Sequence, residues 1–245
     1  MFVLAFIMSV SGSEKVFEWE PLPDLPDSIG MAGPFVGVHN DTLIIAGGAN
    51  FPQGMPWARA KDGRFSPPKI YHDKIFALRR DSNKKPKYLE VTNRLAQSLG
   101  YGISISHSRG VICIGGEYKT HDKNATHYLS KRHLSAKVFT LRYDGREVVQ
   151  NDGIPDLPMA TTAAAGALIG NMIYVSGGDA GKGPTKNFWV LNLAAVKLEW
   201  QKLPAWDGPA RTHHLAVAQH DGLEVCLFIF SGRARLNGQW QMFTD

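Results

Sequence analysis

Four times in this chain an apolar run stops on glycine: LIIAGGANF (residues 43–51), VICIGGEY (111–118), IYVSGGDA (173–180) and, in weakened form, LFIFSGRA (227–234). Glycine inside a strand gives up backbone entropy and offers no side chain to pack, so an adjacent pair marks a strand end or a close approach of another backbone. One occurrence carries little meaning. Four copies of one strand ending restrict the chain to folds made of a repeated unit.

A second recurring element divides the unit further. IFALRRD (75–81), VFTLRYDG (138–145) and FWVLNLA (188–194) share an aromatic residue followed, two positions on, by leucine. Each alternates like a half-buried strand and runs into a turn, with Asp144-Gly145 the clearest hairpin signal. A further strand follows each turn (KYLEV, REVVQ, KLEWQKL), and another precedes each glycine pair (GPFVGVHND, YGISISHS, AAAGALIGN). Connectors rich in proline and leucine close the units: WEPLPDLP, IPDLP and WQKLP. Four strands per repeat, with a diglycine ending the second, resemble the kelch motif of β-propellers. The expected fold class is therefore all-β, a kelch-type propeller of four-stranded antiparallel blades. A β-sandwich with coincidental glycines is the alternative. Aligning Trp19 with Trp200 starts the chain on an orphan fourth strand, and QWQMFTD reads as a third strand just beginning. The expected count is about three and a half blades of six, a fragment, since six such blades need about 300 residues. Open blade edges would then promote self-association.

With 245 residues and 44% hydrophobic content the chain can bury a sizeable core. No sustained 3.6-residue apolar period stands out. The net charge of +5 suits an anionic ligand. The densest basic runs, RRDSNKKPK (79–87) and SKRH (130–133), read as solvated loops, and no nucleic-acid-binding motif is present. Cys113 and Cys226 sit in apolar strands and read as buried free thiols. Residues 1–13 resemble a secretory signal peptide without its basic n-region, ahead of a propeller over 14–245. Their apolar run is too short to span a bilayer. A periplasmic or secreted location is expected, with the cytoplasm as the alternative.

In an antiparallel blade, the loop after strand two and the connector after strand four emerge at one end. The long loops fall there, so function is sought there. Next to the glycines lie Asn50, Glu117, Asp179 and Arg233; the connector GPARTHHLAV adds Arg211, His213 and His214. Adjacent histidines on a strand face opposite ways, so at most one of His213 and His214 faces the channel. Asp179 precedes a glycine-rich turn and either bonds local backbone or lines the channel. His121, His127 and His133 are spaced for neither a helical face nor a compact ligand set, so no metal is assigned. No cofactor is expected, because phosphate loops, zinc signatures and Ser/His/Asp constellations are not seen. Glu117 and Arg211, an acid and a fixed cation, would suit a small sugar acid as partner.

MAGPFVGVHNDTLIIAGGANFP, KIYHDKIFAL and SLGYGISISHSRGVICIGGE together resemble the sialic acid mutarotases, or N-acetylneuraminate epimerases. In the first-described enzymes of that family these segments form the last two of six blades. Here they come first, followed by PMATTAAAGALIGNMIYVSGGDAG, which looks like the family's opening blade; the order resembles the cyclically permuted branch. The resemblance implies interconversion of the α and β anomers of N-acetylneuraminate by ring opening and closure. It also implies a catalytic glutamate directly after a second-strand glycine, with an arginine six residues later. That pair is expected beyond Asp245, which would leave this chain a poor epimerase. Glu117 is the weak candidate here, with Lys123 six residues on. The remaining substrate-binding candidates are Arg211, Asn50, Asp179, Arg233 and His213. A non-catalytic carbohydrate-binding module and a protein-interaction scaffold are the alternatives that fold alone does not separate.

Overall fold

The computed structural model describes residues 19–55, 68–121 and 130–244. The signal-like run at the N-terminus, Lys123 and His127 lie outside them. The first blade contains β1 (Phe35–His39), β2 (Thr42–Ala46), the short β3 (Ala49–Asn50) and β4 (Ile70–Tyr71), β5 (Ile75–Arg80) and β6 (Pro86–Leu89). Its sheet runs β1-β2-β5-β6, with β3 and β4 paired separately as a small hairpin. Asn40 and Asp41 both take positive φ in the β1–β2 connection, the requirement of a tight hairpin whose twist matches its strands.

The second blade repeats the plan: β7 (Ile103–His107), β8 (Gly110–Ile114), an inserted hairpin of β9 (Glu117–His121) and β10 (Ser130–Leu134), then β11 (Val138–Tyr143) and β12 (Val148–Asn151). In the third, β13 (Ala165–Ile169), β14 (Met172–Ser176), β15 (Phe188–Asn192) and β16 (Trp200–Lys202) form one sheet. β17 (Leu215–His220) and β18 (Val225–Phe230) then pair as a two-stranded sheet, followed by the hairpin β19 (Arg233–Leu236) and β20 (Gln239–Met242). All pairings are antiparallel, and no helix occurs among the described residues.

Alternation along each strand distributes the core between blades. In β8, buried on both faces, Val111 and Cys113 join Phe35, Ile44 and Ala77 of the first blade. Ile112 and Ile114 join Ile173, Val175 and Leu191 of the third. Full burial of each Val, Ile, Leu or Phe side chain among these contributes about 1.5–3 kcal/mol.

The diglycines explain themselves at the blade junctions. The N–H groups of Gly48, Gly116 and Gly178 donate to the carbonyls of Leu99, Thr161 and Arg211 in the next blade's connector. A Cβ on Gly47, Gly115 or Gly177 would lie 2.2, 2.7 or 2.6 Å from those same oxygens. Inside them runs a chain of backbone bonds: Tyr101 N to Gly33 O, Ala163 N to Tyr101 O, and His213 N to Ala163 O. All four residues have positive φ, so one left-handed position per blade builds the inner rim.

Several expectations are corrected. QWQMFTD is not an incipient third strand; β20 turns back onto β19, and Phe243 N bonds Gly232 O as Ser135 N bonds Gly116 O. The segment is the third inserted hairpin, after β3–β4 and β9–β10. Trp19 is 92% exposed and belongs to no strand; the chain beside it is held to the first blade through side chains, Arg80 to Glu20 and Tyr88 to the Pro23 carbonyl. Gly232 matches the second glycine of each pair, with Ser231 (φ +61°) at the first. SKRH is β10 rather than loop. Both cysteines are free, but Cys226 is only half-buried, since β18 is covered less completely than β8.

Candidate active site

At the end of the blades where the inserted hairpins and connectors emerge, residues of four successive blade units line a hollow of about 390 Å³. Its position follows from four equivalent bridges, Ala32–Ala49, Gly100–Glu117, Thr162–Asp179 and Thr212–Arg233. Glu117, Asp179 and Arg233 thereby occupy one structural position in successive blades, and all three line the hollow.

Glu117 is the most heavily engaged. Its Oε1 accepts a hydrogen bond from the Tyr71 hydroxyl and lies 3.7 Å from Lys69 Nζ. Its Oε2 accepts from Arg132 Nε at 2.7 Å. Both terminal nitrogens of Arg132 reach Asp179 Oδ2 at 3.1 Å, so this guanidinium ties two blades together. Asp179 Oδ1 also accepts from Gly181 N and Gly183 N, at 2.7 and 3.0 Å. Both sequence readings of Asp179, local turn and channel wall, are therefore realised. Lys69 Nζ sits 3.8 Å from the centre of the Tyr101 ring, and Arg233 stacks on Trp240 at 4.6 Å.

These contacts set the charges. Burial works to raise the Glu117 carboxyl, but the bonds from Tyr71 and Arg132 and the charges of Arg132 and Lys69 bring it below the usual carboxylate range. Burial, reinforced by Glu117, pushes the Tyr71 phenol far up. Asp179 is pulled down against its burial by its two backbone donors and Arg132. His213 is lowered by burial and then by Arg233, which keeps the imidazole neutral near pH 7. Replacing Arg132 with alanine should raise the titration points of both Glu117 and Asp179, read by carbon NMR of the carboxyl groups across pH. Unmoved titrations would show that Arg132 does not organise the pair.

Two sequence-predicted residues fall outside the hollow. Asn50 is one position beyond Ala49, the true equivalent of Glu117, and a one-residue offset turns a side chain to the other face. It bonds His72 and the Gly30 carbonyl instead. Arg211 is buried, donating to Ser231 O at 3.0 Å and lying 4.3 Å from the Phe243 ring. Of the adjacent histidines, His213 lines the hollow and His214 is buried against Ser176. His133 stacks on Tyr118 at 4.9 Å. Sequence reasoning missed Tyr71, Lys69 and Arg132; the one available signal for Arg132 was the alternation Ser130/Arg132/Leu134 across SKRHL.

Inner-rim backbone bonds, blade-to-blade cores and a charged mouth define a β-propeller-type protein with a charged hollow at one end of its blades. Its likeness to the solved structure of YjhT shows the same fold: a TM-score of 0.67 at 14% identity, covering 91% of this chain and 65% of that one. The model of the N-acetylneuraminate epimerase family matches residues 5–149, more than half of the sequence, and the chain belongs to that family. N-acetylneuraminate epimerases of Yersinia pestis (strain Pestoides F) and Haemophilus influenzae (strain 86-028NP) are 36% and 32% identical to it over 113 and 112 residues. Each match covers 42% of this chain, and 27% and 28% of the relative. The Pasteurella multocida (strain Pm70) enzyme is 31% identical over 143 residues, covering 53% of this chain. The chain thus matches about a quarter to a third of the length of its curated relatives.

Proposed function

We propose that this chain binds N-acetylneuraminate at the hollow and interconverts its α and β anomers. The observation that carries the reading is the charge balance of the mouth. Lys69 and Arg132 are engaged by Glu117 and Asp179, whereas Lys119 and Arg233 line the same hollow with no carboxylate partner among the described residues. An anionic sugar supplies that partner. Family membership supports the choice of a sialic acid over other sugar acids. The carboxylate beside the anomeric carbon would lie against Arg233, the planar donor suited to two parallel bonds.

Proton NMR of freshly released α-anomer tests the reading. The 245-residue chain should speed equilibration above the spontaneous rate in a saturable way. Arg233→Met should weaken apparent affinity about 10–100-fold, the loss of a charge-assisted contact. Binding without faster equilibration would favour the non-catalytic carbohydrate module, and neither effect would leave the reading without support.

A further inference from the structure

Resting on that reading, we infer that His213 is the proton-transfer residue of this mouth, with Thr212 holding its imidazole in the working tautomer. Glu117 is the obvious acid/base group by position, but its surroundings oppose the role. Tyr71, Lys69 and Arg132 already donate to or face its two oxygens. A carboxylate so engaged is a weak base, and its geometry serves to anchor Arg132 against Asp179. Asp179 is equally occupied, by Arg132 and two backbone N–H groups.

His213 differs in each respect. It stands on the inner rim, fixed by its own N–H to the Ala163 carbonyl at 2.8 Å and by a left-handed backbone of φ +57°. Its Nδ1 lies 3.2 Å from Thr212 Oγ1. That hydroxyl donates to the Ala163 carbonyl, also at 3.2 Å, so its oxygen is left to accept from Nδ1–H. The same hydroxyl-to-carbonyl bond recurs one blade earlier, from Thr162 to Tyr101 O, where no histidine competes for it. The proton therefore resides on Nδ1, and Nε2 carries a free lone pair with no hydrogen-bond partner among the described residues. Around it stand Arg233 and Arg132 as cations and Glu117 and Asp179 as anions, with Lys69, Lys119 and Tyr101 completing the charged and titratable lining.

The step balances on this one group. Nε2 takes the proton of the anomeric hydroxyl; the O–H electron pair becomes the second bond of a ketone at the anomeric carbon. The bond from that carbon to the ring oxygen breaks, its pair staying on the ring oxygen, which receives the proton from the imidazolium. Rotation of the open chain presents the other face of the ketone, and the reverse sequence closes the ring as the opposite anomer. No proton, electron or co-reactant is consumed. Both oxygens are attached to one carbon, so a single imidazole edge can serve each in turn.

The test combines kinetics with a readout that needs no turnover. His213→Asn, chosen because asparagine tolerates positive φ, should lower the catalysed rate by about 10²–10⁴-fold with unchanged melting. In the parent chain kcat/KM should fall as pH drops through a titration below 6.5, and the variant should lose that limb. Thr212→Val should reduce kcat with little change in KM, and Thr212→Ser should restore it. Nitrogen-15 NMR at pH 7.5 should show a protonated Nδ1 and an unprotonated Nε2 that shifts when N-acetylneuraminate is added. A proton on Nε2, or wild-type rate and pH profile in His213→Asn, overturns the inference alone. A chain that does not accelerate anomerisation at all overturns the epimerase reading and this inference with it.

Discussion

Gly47→Ala should lower the stability of this chain by about 3–6 kcal/mol, a large share of the roughly 5–15 kcal/mol that holds a typical domain folded. Three effects add. Alanine at φ +68° carries a left-handed penalty of about 1–2 kcal/mol. Its Cβ would lie 2.2 Å from the Leu99 carbonyl oxygen, backbone that cannot rotate away, and overpacking of this kind typically costs about 1–3 kcal/mol. Displacing that oxygen also breaks its bond from Gly48 N, worth about 0.5–1.5 kcal/mol. Gly170→Ala isolates the first effect, since Gly170 has φ +57° with nothing within 4 Å of an added Cβ. Urea melts of the two variants should differ clearly in midpoint. If Gly47→Ala lost no more than Gly170→Ala, crowding between blades would not be the reason for the diglycine.

Acid should destabilise the protein well before its carboxylates titrate, and His214 is the principal cause. The residue is 4% exposed, and burial, aided by the Arg211 charge, lowers its titration to about 4. Its Nε2 pairs with Ser176 Oγ at 3.0 Å, while Nδ1 is buried with no acceptor among the described residues. A proton added there would be left unsatisfied. The unfolded chain binds that proton near pH 6.5 and the folded chain only near 4. Stability is therefore complete above pH 6.5 and falls as pH drops towards 4, by about 3 kcal/mol in total. Asp27, Glu117 and Asp179, whose titrations are lowered from the ordinary values of 3.8 for aspartate and 4.5 for glutamate, act in the same direction, but their contribution is lost only from the acid edge of that window downward. His72, His107 and His213 are also lowered and add to the slope, so a His214→Gln variant is needed to isolate the main contribution. Urea midpoints across pH 4–7 should show a shallower slope in the variant; equal slopes would remove His214 from the account.

The repeat was legible because its signals are local. Period-two alternation places β1, β7 and β13, the aromatic-x-leucine strands became β5, β11 and β15, and Asp144-Gly145 turns β11 into β12. Asp144 caps that turn with bonds from Arg146 N and Glu147 N, chemistry contained within four residues. The family resemblance was equally local, carried by short segments now matched over residues 5–149.

By itself, then, the sequence determined the strands, their turns, the glycine endings and the family, because propensity, alternation and turn chemistry act over a few residues. Only the tertiary structure decided which side chains share the mouth. Ala49 rather than Asn50 stands level with Glu117, since one residue of register exchanges the two faces of a strand. Tyr71 reaches Glu117 from another blade, and Arg132 leaves β10 to join Glu117 to Asp179. Arg211 is drawn beneath Phe243 instead of into the hollow, and β20 pairs with β19 instead of extending a blade. Each of these depends on how twisted sheets pack around a common centre, and on which partner is within a few ångströms once they have. Distances between blades are set by cores such as Val111 and Cys113 against Phe35, contacts between segments tens of residues apart that no local pattern encodes.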